Sequence, residues 1–404
     1  MPEGFFHGSV VASSKAPPSL VPKCGACGLY KGCLSPKMPV RGNGKRGVLI
    51  VGEAPGAQED ERGMPFVGKS GQFLTETLED LGVELFEDCW VTNSLICRPP
   101  DNETPDENKI NYCRPNLMKA VRELQPKTIV LIGGIAVKSL IGGLWKYGDT
   151  DVGGITRWAG FNIPCQKPNV WICPTYHPSF LMREHSEVLD RMFVQHLRAA
   201  FEHTAPPWEA PPDYKKQVEV VMDVDEAARI LRRMIEKGGP CAVDYENNCL
   251  KPETKGAKII CCSVCWQGKK TIAYPWHGAA IEATKELLWS ERVQKIASNL
   301  KHEERWTRWA FGKGVRSWMH DTMVAAHVLD NRPGITGLKF QAFAHLGEEA
   351  YDEHISQFLR TSGDEKINRV ASEVDLRQLL EYCGADTVLE YYLAEAQIKI
   401  LGTK

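Results

Sequence analysis

Several groups of residues in this chain have the types and spacing for chemistry. The stretch "VGEAPGAQEDERGMPFVGKSG", Val51 to Gly71, sets Glu53, Glu59 and Asp60 among glycines beside one isolated aromatic, Phe66. Asn93 in "TNS" and His177 in "YHPS" each follow an apolar run. An acid can stabilise positive charge, an amide can read a polar edge, and an imidazole can stabilise a departing anion. A second group is Cys24-x2-Cys27 with Cys97 and Cys113. Such a two-plus-two thiolate set suits zinc or a 4Fe–4S cluster, and spacing does not decide between them. Cys33 competes for the first pair, while Cys89, Cys165 and Cys173 read as packing residues. The third group starts at "CAVDYENN", where strand alternation puts Asp244 and Glu246 on one face. Two acids there repel and lose hydration unless cations join them. Tyr382 and Asp386 stand at i, i+4 on a helix, and Glu303 follows an apolar strand. Taken singly, each residue has a plain structural reading. Asn93 and His177 suit turns, and Tyr382 and Asp386 suit packing.

Placement at successive strand ends is what lifts Glu53, Asn93 and His177 above that reading. Strands at 47–51, 89–94, 128–132 and 169–174 alternate with helical patterns at 71–81, 105–124, 134–141 and 186–202. Such alternation argues for a parallel sheet covered by helices, with ligands at its carboxyl edge. "TAPPWEAPPDY", 204–214, holds four prolines and reads as an extended linker between two separate cores. Beyond it, "VDEAARILRRMIEKGG" reads as an amphipathic helix, 240–245, 258–267 and 270–275 as an antiparallel meander, and 294–298 as another strand. The expected organisation is a disordered tail at 1–22, an α/β domain at 23–203, the linker, and a second α/β domain at 215–404.

The 404 residues suit two domains, and 43% hydrophobic with 25% charged residues is a soluble balance. No apolar run spans a bilayer and no signal peptide opens the sequence, so no membrane partner is expected. A net charge of −2 gives no polybasic signature, although carboxylates that hold metals would mask basic patches. Fourteen cysteines without a secretion signal point to a bound metal or cluster in a reducing, cytoplasmic compartment.

"GEAPGAQEDERGMPFVGKSG", "TNSLICRPP", "CRPNLMKAVRELQPKTIVLIGGIAVKSLIG" and "HPSFLMR" together resemble a family-4 uracil-DNA glycosylase, over roughly Cys24 to Phe201. The resemblance implies a three-layer α/β/α fold with a parallel sheet. It implies a uracil pocket in which Gly52 allows close approach, Phe66 stacks on the flipped base and Asn93 reads its edge. Glu53 and Glu59 line the acidic turn and position water, and His177 stabilises the leaving uracil anion. Leu181 or Met182 wedges into the vacated stack, and Arg98 and Arg114 sit near phosphates. Cys24, Cys27, Cys97 and Cys113 then hold a 4Fe–4S cluster that ties loops together. A related class carries a basic insert ahead of "HPS" that traps the abasic sugar. The stretch "RWAGFNIPCQKPNVWICPTYH" has no such insert, so free turnover is expected.

The second half, roughly Val218 to Leu393, resembles the 3′–5′ exonuclease domain of family A DNA polymerases. "CAVDYENN", "ASNLKHEERW", "DNRPGITGLKF" and "LLEYCGADTVLEYYL" carry the likeness. It implies an RNase H-like α/β fold with a mixed sheet. Asp244, Glu246, Glu303 and Asp386 would hold two Mg²⁺ or Mn²⁺ ions, and Tyr382 would orient the attacking water. The family usually has Asp where this chain has Glu303, and Asp321 is a neighbouring alternative ligand. The pairing resembles bacteriophage replication proteins, which implies a bacterial or phage-infected host cytoplasm. It implies a bifunctional enzyme acting on uracil-containing DNA, single strands or 3′ ends in replication proofreading or repair, with any polymerase on a separate chain. The alternative is that one or both domains are silent and serve as a DNA-binding or polymerase-associated module.

Overall fold

The computed structural model describes residues 21–145, 152–268, 270–352, 354–361 and 366–402. Of the tail expected at 1–22, residues 1–20 lie outside the described residues. Short apolar runs build the first sheet: β1 (Val48–Gly52), β2 (Cys89–Asn93), β3 (Thr128–Ile132), β4 (Ile163–Cys165) and β5 (Val170–Thr175). The order is β2-β1-β3-β5-β4, parallel throughout except for β4, which pairs antiparallel to β5. Helices cover both faces, so the strands are apolar on both. Leu49, Val51, Ile129 and Leu131 pack with Leu117 and Val121 of helix Glu107–Leu124. Val48, Ile50, Val130 and Ile132 pack with Leu74 of helix Lys69–Glu79 and Phe193 of helix Glu187–Glu202. β4 was not expected. It is three residues long and contains Pro164, which only an edge strand tolerates.

The second sheet contains β6 (Val218–Val220), β7 (Gly239–Asn247), β8 (Ile259–Trp266), β9 (Lys270–Pro275), β10 (Val293–Ala297) and β11 (Trp318–Asp321), in the order β11-β10-β7-β8-β9-β6. β7, β8 and β9 form the antiparallel meander, while β10 runs parallel to both β7 and β11. The long helix Leu376–Gly402 lays Leu380, Cys383 and Val388 against this sheet. Each half is thus an α/β unit, with a predominantly parallel sheet in the first and a mixed sheet in the second.

The 204–214 segment is not a free spacer. Trp208 donates its indole N–H to the Pro164 carbonyl at 2.7 Å, and its backbone exchanges hydrogen bonds with the Asn169 side chain. Just before it, His203 stacks on Trp171 with ring centres 4.0 Å apart. Nor are the two cores separate. Phe340 and Phe343, on helix Leu338–Leu346, insert among Trp145, Trp158 and Phe161 of the first half. The Trp158–Phe340 centroids lie 4.7 Å apart, and Trp145 stacks on Phe343 at 5.7 Å. Gly347, at φ 67°, lies so close to β4 that an added Cβ would fall 1.9 Å from the Pro164 carbonyl oxygen. Arg332 donates to the Thr156 and Ala159 carbonyls at 2.8 Å each. Burying one phenylalanine is worth about 1.5–3 kcal/mol, so this shared aromatic cluster contributes on the scale of a domain's net stability.

Candidate active sites

β1 ends at Gly52 and β2 at Asn93, and these two residues pair in register. β5 ends two residues before His177. The strand ends open on a cavity of about 350 Å³ lined by Glu53, Glu59, Phe66, Asn93, His177 and Ser179. Gly52 packs against two of these residues: a Cβ there would fall 2.4 Å from Asn93 Oδ1 and 2.7 Å from the Phe66 ring. Phe66 holds φ 56°, a left-handed conformation that costs a non-glycine residue about 1 kcal/mol or more. The strain is sustained at the residue that presents an aromatic ring to the cavity.

His177 caps helix Pro178–Glu184, its Nδ1 accepting from the Ser179 amide at 3.1 Å and lying 2.8 Å from Ser179 Oγ. A ring nitrogen that accepts leaves the proton of a neutral imidazole on Nε2. Burial, reinforced by the Arg183 charge, pushes the His177 pKa down to about 4, so the ring is neutral at neutral pH. Burial also raises the Glu53 carboxyl above its ordinary range.

Other residues fall elsewhere than expected. Glu59 accepts from the Gly56 amide at 3.1 Å and the Gly68 amide at 2.7 Å, so both oxygens brace the loop around Phe66 while each keeps a lone pair for a further donor. Leu181 lies in the core with 2% exposure and cannot act as a wedge, whereas Met182 is exposed. Arg114 does not face phosphates: its guanidinium donates to the Ser139 and Lys138 carbonyls at 2.6 and 3.0 Å. Arg98 bonds Asn102. Asp60, given no role from sequence, is buried and accepts from the Leu34 and Ser35 amides, fixing the loop after Cys33.

Cys24, Cys27, Cys97 and Cys113 surround one small cavity whose other walls include Leu29, Leu95 and Ile96. Cys33 is not part of that lining; its thiol donates to the Leu29 and Arg98 carbonyls. The Lys37 amide donates to Cys97 Sγ at 3.3 Å and the Asn116 side chain to Cys113 Sγ at 3.4 Å. Burial pushes Cys97 up to about 12, with the neighbouring sulfurs of Cys33, Cys113 and Cys27 adding to the rise. Among the described residues, no three of these sulfurs lie mutually within 4.8 Å.

The acids of the second half converge between β7 and helix Leu376–Gly402. Glu246, Glu303 and Asp386 are buried, and Asp244 is partly buried. Burial raises the carboxyls of Asp244 and Glu246, and the charge of Asp386 then adds at Asp244 and that of Asp244 at Glu246. Burial followed by the Asp244 charge raises Glu303. Glu390, one turn beyond Asp386, joins them: its Oε1 accepts from the Ser298 amide, and burial followed by the Asp244 charge raises it. Glu303 Oε2 and Glu390 Oε2 are buried without a hydrogen-bond partner among the described residues. Asp386 is not free. Lys339 and the Tyr351 hydroxyl both bond its Oδ1, and the Lys339 ammonium lies 4.5 Å from the centre of the Tyr382 ring. Asp321 is no spare ligand, since its carboxylate accepts from the amides of Asn299, Leu300, Met323 and Val324. From Glu246 a cleft of about 1330 Å³ opens past Lys251, Lys255, Arg360 and Lys366. Glu390 was legible as the i+4 partner of Asp386. Lys339 had no signal beyond its place in "GLKF".

The profile of the Uracil DNA glycosylase superfamily matches residues 39–203. The type-4 uracil-DNA glycosylase of Pyrobaculum aerophilum is 39% identical over 41% of this chain and 82% of its own length. That of Thermotoga maritima is 34% identical over 45% of this chain and 88% of its own. A DNA polymerase of Bacillus phage SP01 is 24% identical over 36% of this chain and 15% of its own length. Among solved structures, RNase D of Escherichia coli aligns with a TM-score of 0.36 at 14% identity, over 46% of this chain and 45% of that one.

Proposed function

Since this chain belongs to the type-4 uracil-DNA glycosylases, we propose that its first half, whose residues 39–203 match the superfamily, excises uracil from DNA by flipping the base into the cavity lined by Phe66, Asn93 and His177. Unstacking a base costs about a few kcal/mol, and Phe66 offers replacement stacking. The Asn93 amide reads the base edge. The His177 Nε2–H donates to the uracil oxygen on which negative charge develops as the N-glycosidic bond breaks. Glu53 stabilises the positive charge building on the sugar, and water adds at C1′ to leave an abasic site. Glu59 positions the Phe66 loop, and exposed Met182 fills the vacated stack. The juxtaposition of Phe66, Asn93 and His177 in one cavity, with Gly52 close against the first two, carries this reading. Gly52→Ala tests it: the new Cβ collides with both base-contacting side chains. Crowding of about 1–3 kcal/mol should raise KM for a uracil oligonucleotide about tenfold or more. Wild-type KM in that variant would misplace the pocket.

Cys24, Cys27, Cys97 and Cys113 hold a 4Fe–4S cluster in this reading, and its service is to cross-link the N-terminal loops. Four thiols gathered around one small cavity support a bound metal centre, and the resemblance to the family-4 enzymes favours the cluster over zinc. Protein purified without oxygen should be brown and carry about four irons per chain. One zinc and no iron would overturn the assignment.

The second half is a 3′–5′ exonuclease on this reading. Asp244, Glu246, Glu303 and Asp386 hold Mg²⁺ or Mn²⁺, which supply Lewis-acid stabilisation at the attacked phosphate. Buried, mutually repelling carboxylates with orphaned oxygens suit cations. Tyr382 orients the water, and the basic cleft beside Glu246 takes the strand's phosphates. Together the halves would serve replication proofreading or repair in a cytoplasm, beside a polymerase on another chain. The Lys339–Asp386 pair favours a second reading, in which the nuclease half is silent and serves as a DNA-binding or polymerase-associated module. One assay separates them: 5′- and 3′-labelled uracil oligonucleotides with and without EDTA. Excision should survive EDTA and 3′ digestion should not. Digestion absent under every divalent metal would leave the module reading.

A further inference from the structure

The donors closest to one another in the acid cluster are not all oxygens. Asp244, Glu246 and Cys383 place one ligand atom each within 4.8 Å of one another. Cys383 is fully buried on helix Leu376–Gly402, between Tyr382 and Gly384, and its thiol points at Asp244 Oδ2 from 3.7 Å and at Ser263 Oγ from 3.1 Å. Asp386, the acid that an all-oxygen set would use, is held by Lys339 and Tyr351. Two further observations call for a cation at this place. Glu303 Oε2 and Glu390 Oε2 are buried without hydrogen-bond partners among the described residues, and the charge of Asp244 adds to the burial that raises both carboxyls.

We propose that Asp244, Glu246 and the Cys383 thiolate form a binding site for a borderline-soft divalent cation of the zinc class. Two carboxylates and a thiolate match zinc, which accepts sulfur at about 2.3 Å and oxygen at about 2.0–2.2 Å. Magnesium takes oxygen ligands and gains nothing from sulfur. On binding, the Cys383 S–H bond breaks, its proton leaves to solvent, and a sulfur–metal bond forms with no change of oxidation state. Zinc at this position displaces the hard ions proposed for the nuclease and closes that activity, so the site gives the second half a thiophilic-metal switch. The inference shares residues with the proposed nuclease centre, but metal ligation is read independently of digestion.

The test is zinc-edge X-ray absorption on the whole protein with its iron in place and one added equivalent of Zn²⁺. One sulfur at about 2.3 Å with oxygen neighbours is expected. In Cys383→Ser that sulfur should vanish and zinc affinity fall by about tenfold or more. Asp244→Asn, which keeps the thiol, should weaken zinc similarly and guards against a Cys383 variant that folds poorly. An all-oxygen shell, or a four-sulfur shell unchanged in Cys383→Ser, overturns the proposal. A one-sulfur shell in protein that digests no DNA under Mg²⁺ or Mn²⁺ sustains it while removing the nuclease reading.

Discussion

His177→Ala should release uracil about 10²–10³-fold more slowly than wild type, the loss typical of removing one donor to a developing anion. The argument rests on which nitrogen carries the proton. The Ser179 amide donates to Nδ1, so Nε2–H is the donor left for the base. A neutral imidazole serves because its charge state need not change during bond breaking. Burial first, and Arg183 second, hold the pKa at about 4. A lowered histidine pKa means protonation only in acid, so the wild-type rate should stay level from pH 8 down to about 5 as far as this group is concerned. It should bend only as pH nears 4. His177→Gln keeps a donor and should recover part of the loss, which a purely structural role would not allow. A pH–rate break near 6.5 that disappears in His177→Ala would show instead that a protonated ring does the work.

The other large effect belongs to Asp244→Ala. Metal-dependent digestion of 3′ ends should fall by at least about 10³-fold, because the stabilisation by bound ions is worth several kcal/mol. Uracil release should be unchanged, since Asp244 is not among the residues that line the cavity of Phe66, Asn93 and His177. A second readout follows from electrostatics. Asp244 is the charge that most strongly opposes ionisation of its neighbours Glu303 and Glu390. Removing it relieves buried repulsion, so the metal-free variant should melt no lower than wild type. The rise in Tm that Mn²⁺ gives wild type should shrink or disappear in it. Undiminished digestion by Asp244→Ala would place the nuclease chemistry elsewhere.

Much of the fold could be read from the chain, for local reasons. Apolar runs of five residues alternating with helical periodicity mark β1, β2, β3 and β5, and the glycine-rich turn after β1 marks the crevice. Two carboxylates on one strand face and a Tyr one turn before an Asp are equally local patterns. What escaped depends on contacts distant in sequence. Lys339 meets Asp386 across 47 residues, and no pattern near either announces it. Cys383 reads as a small apolar residue until its sulfur is seen facing Asp244. The proline-rich stretch misled because proline composition reports backbone stiffness, not whether Trp208 finds a carbonyl to bond.

Helix Leu338–Leu346 has a consequence for inheritance. It is encoded far downstream of the glycosylase segment, yet Phe340 and Phe343 complete that segment's interior. A gene fragment ending near Glu202 would therefore specify a protein with Trp145 and Trp158 bared to water, prone to self-association. A free-standing version of this segment should become soluble when Trp145 and Trp158 are replaced by smaller or more polar side chains.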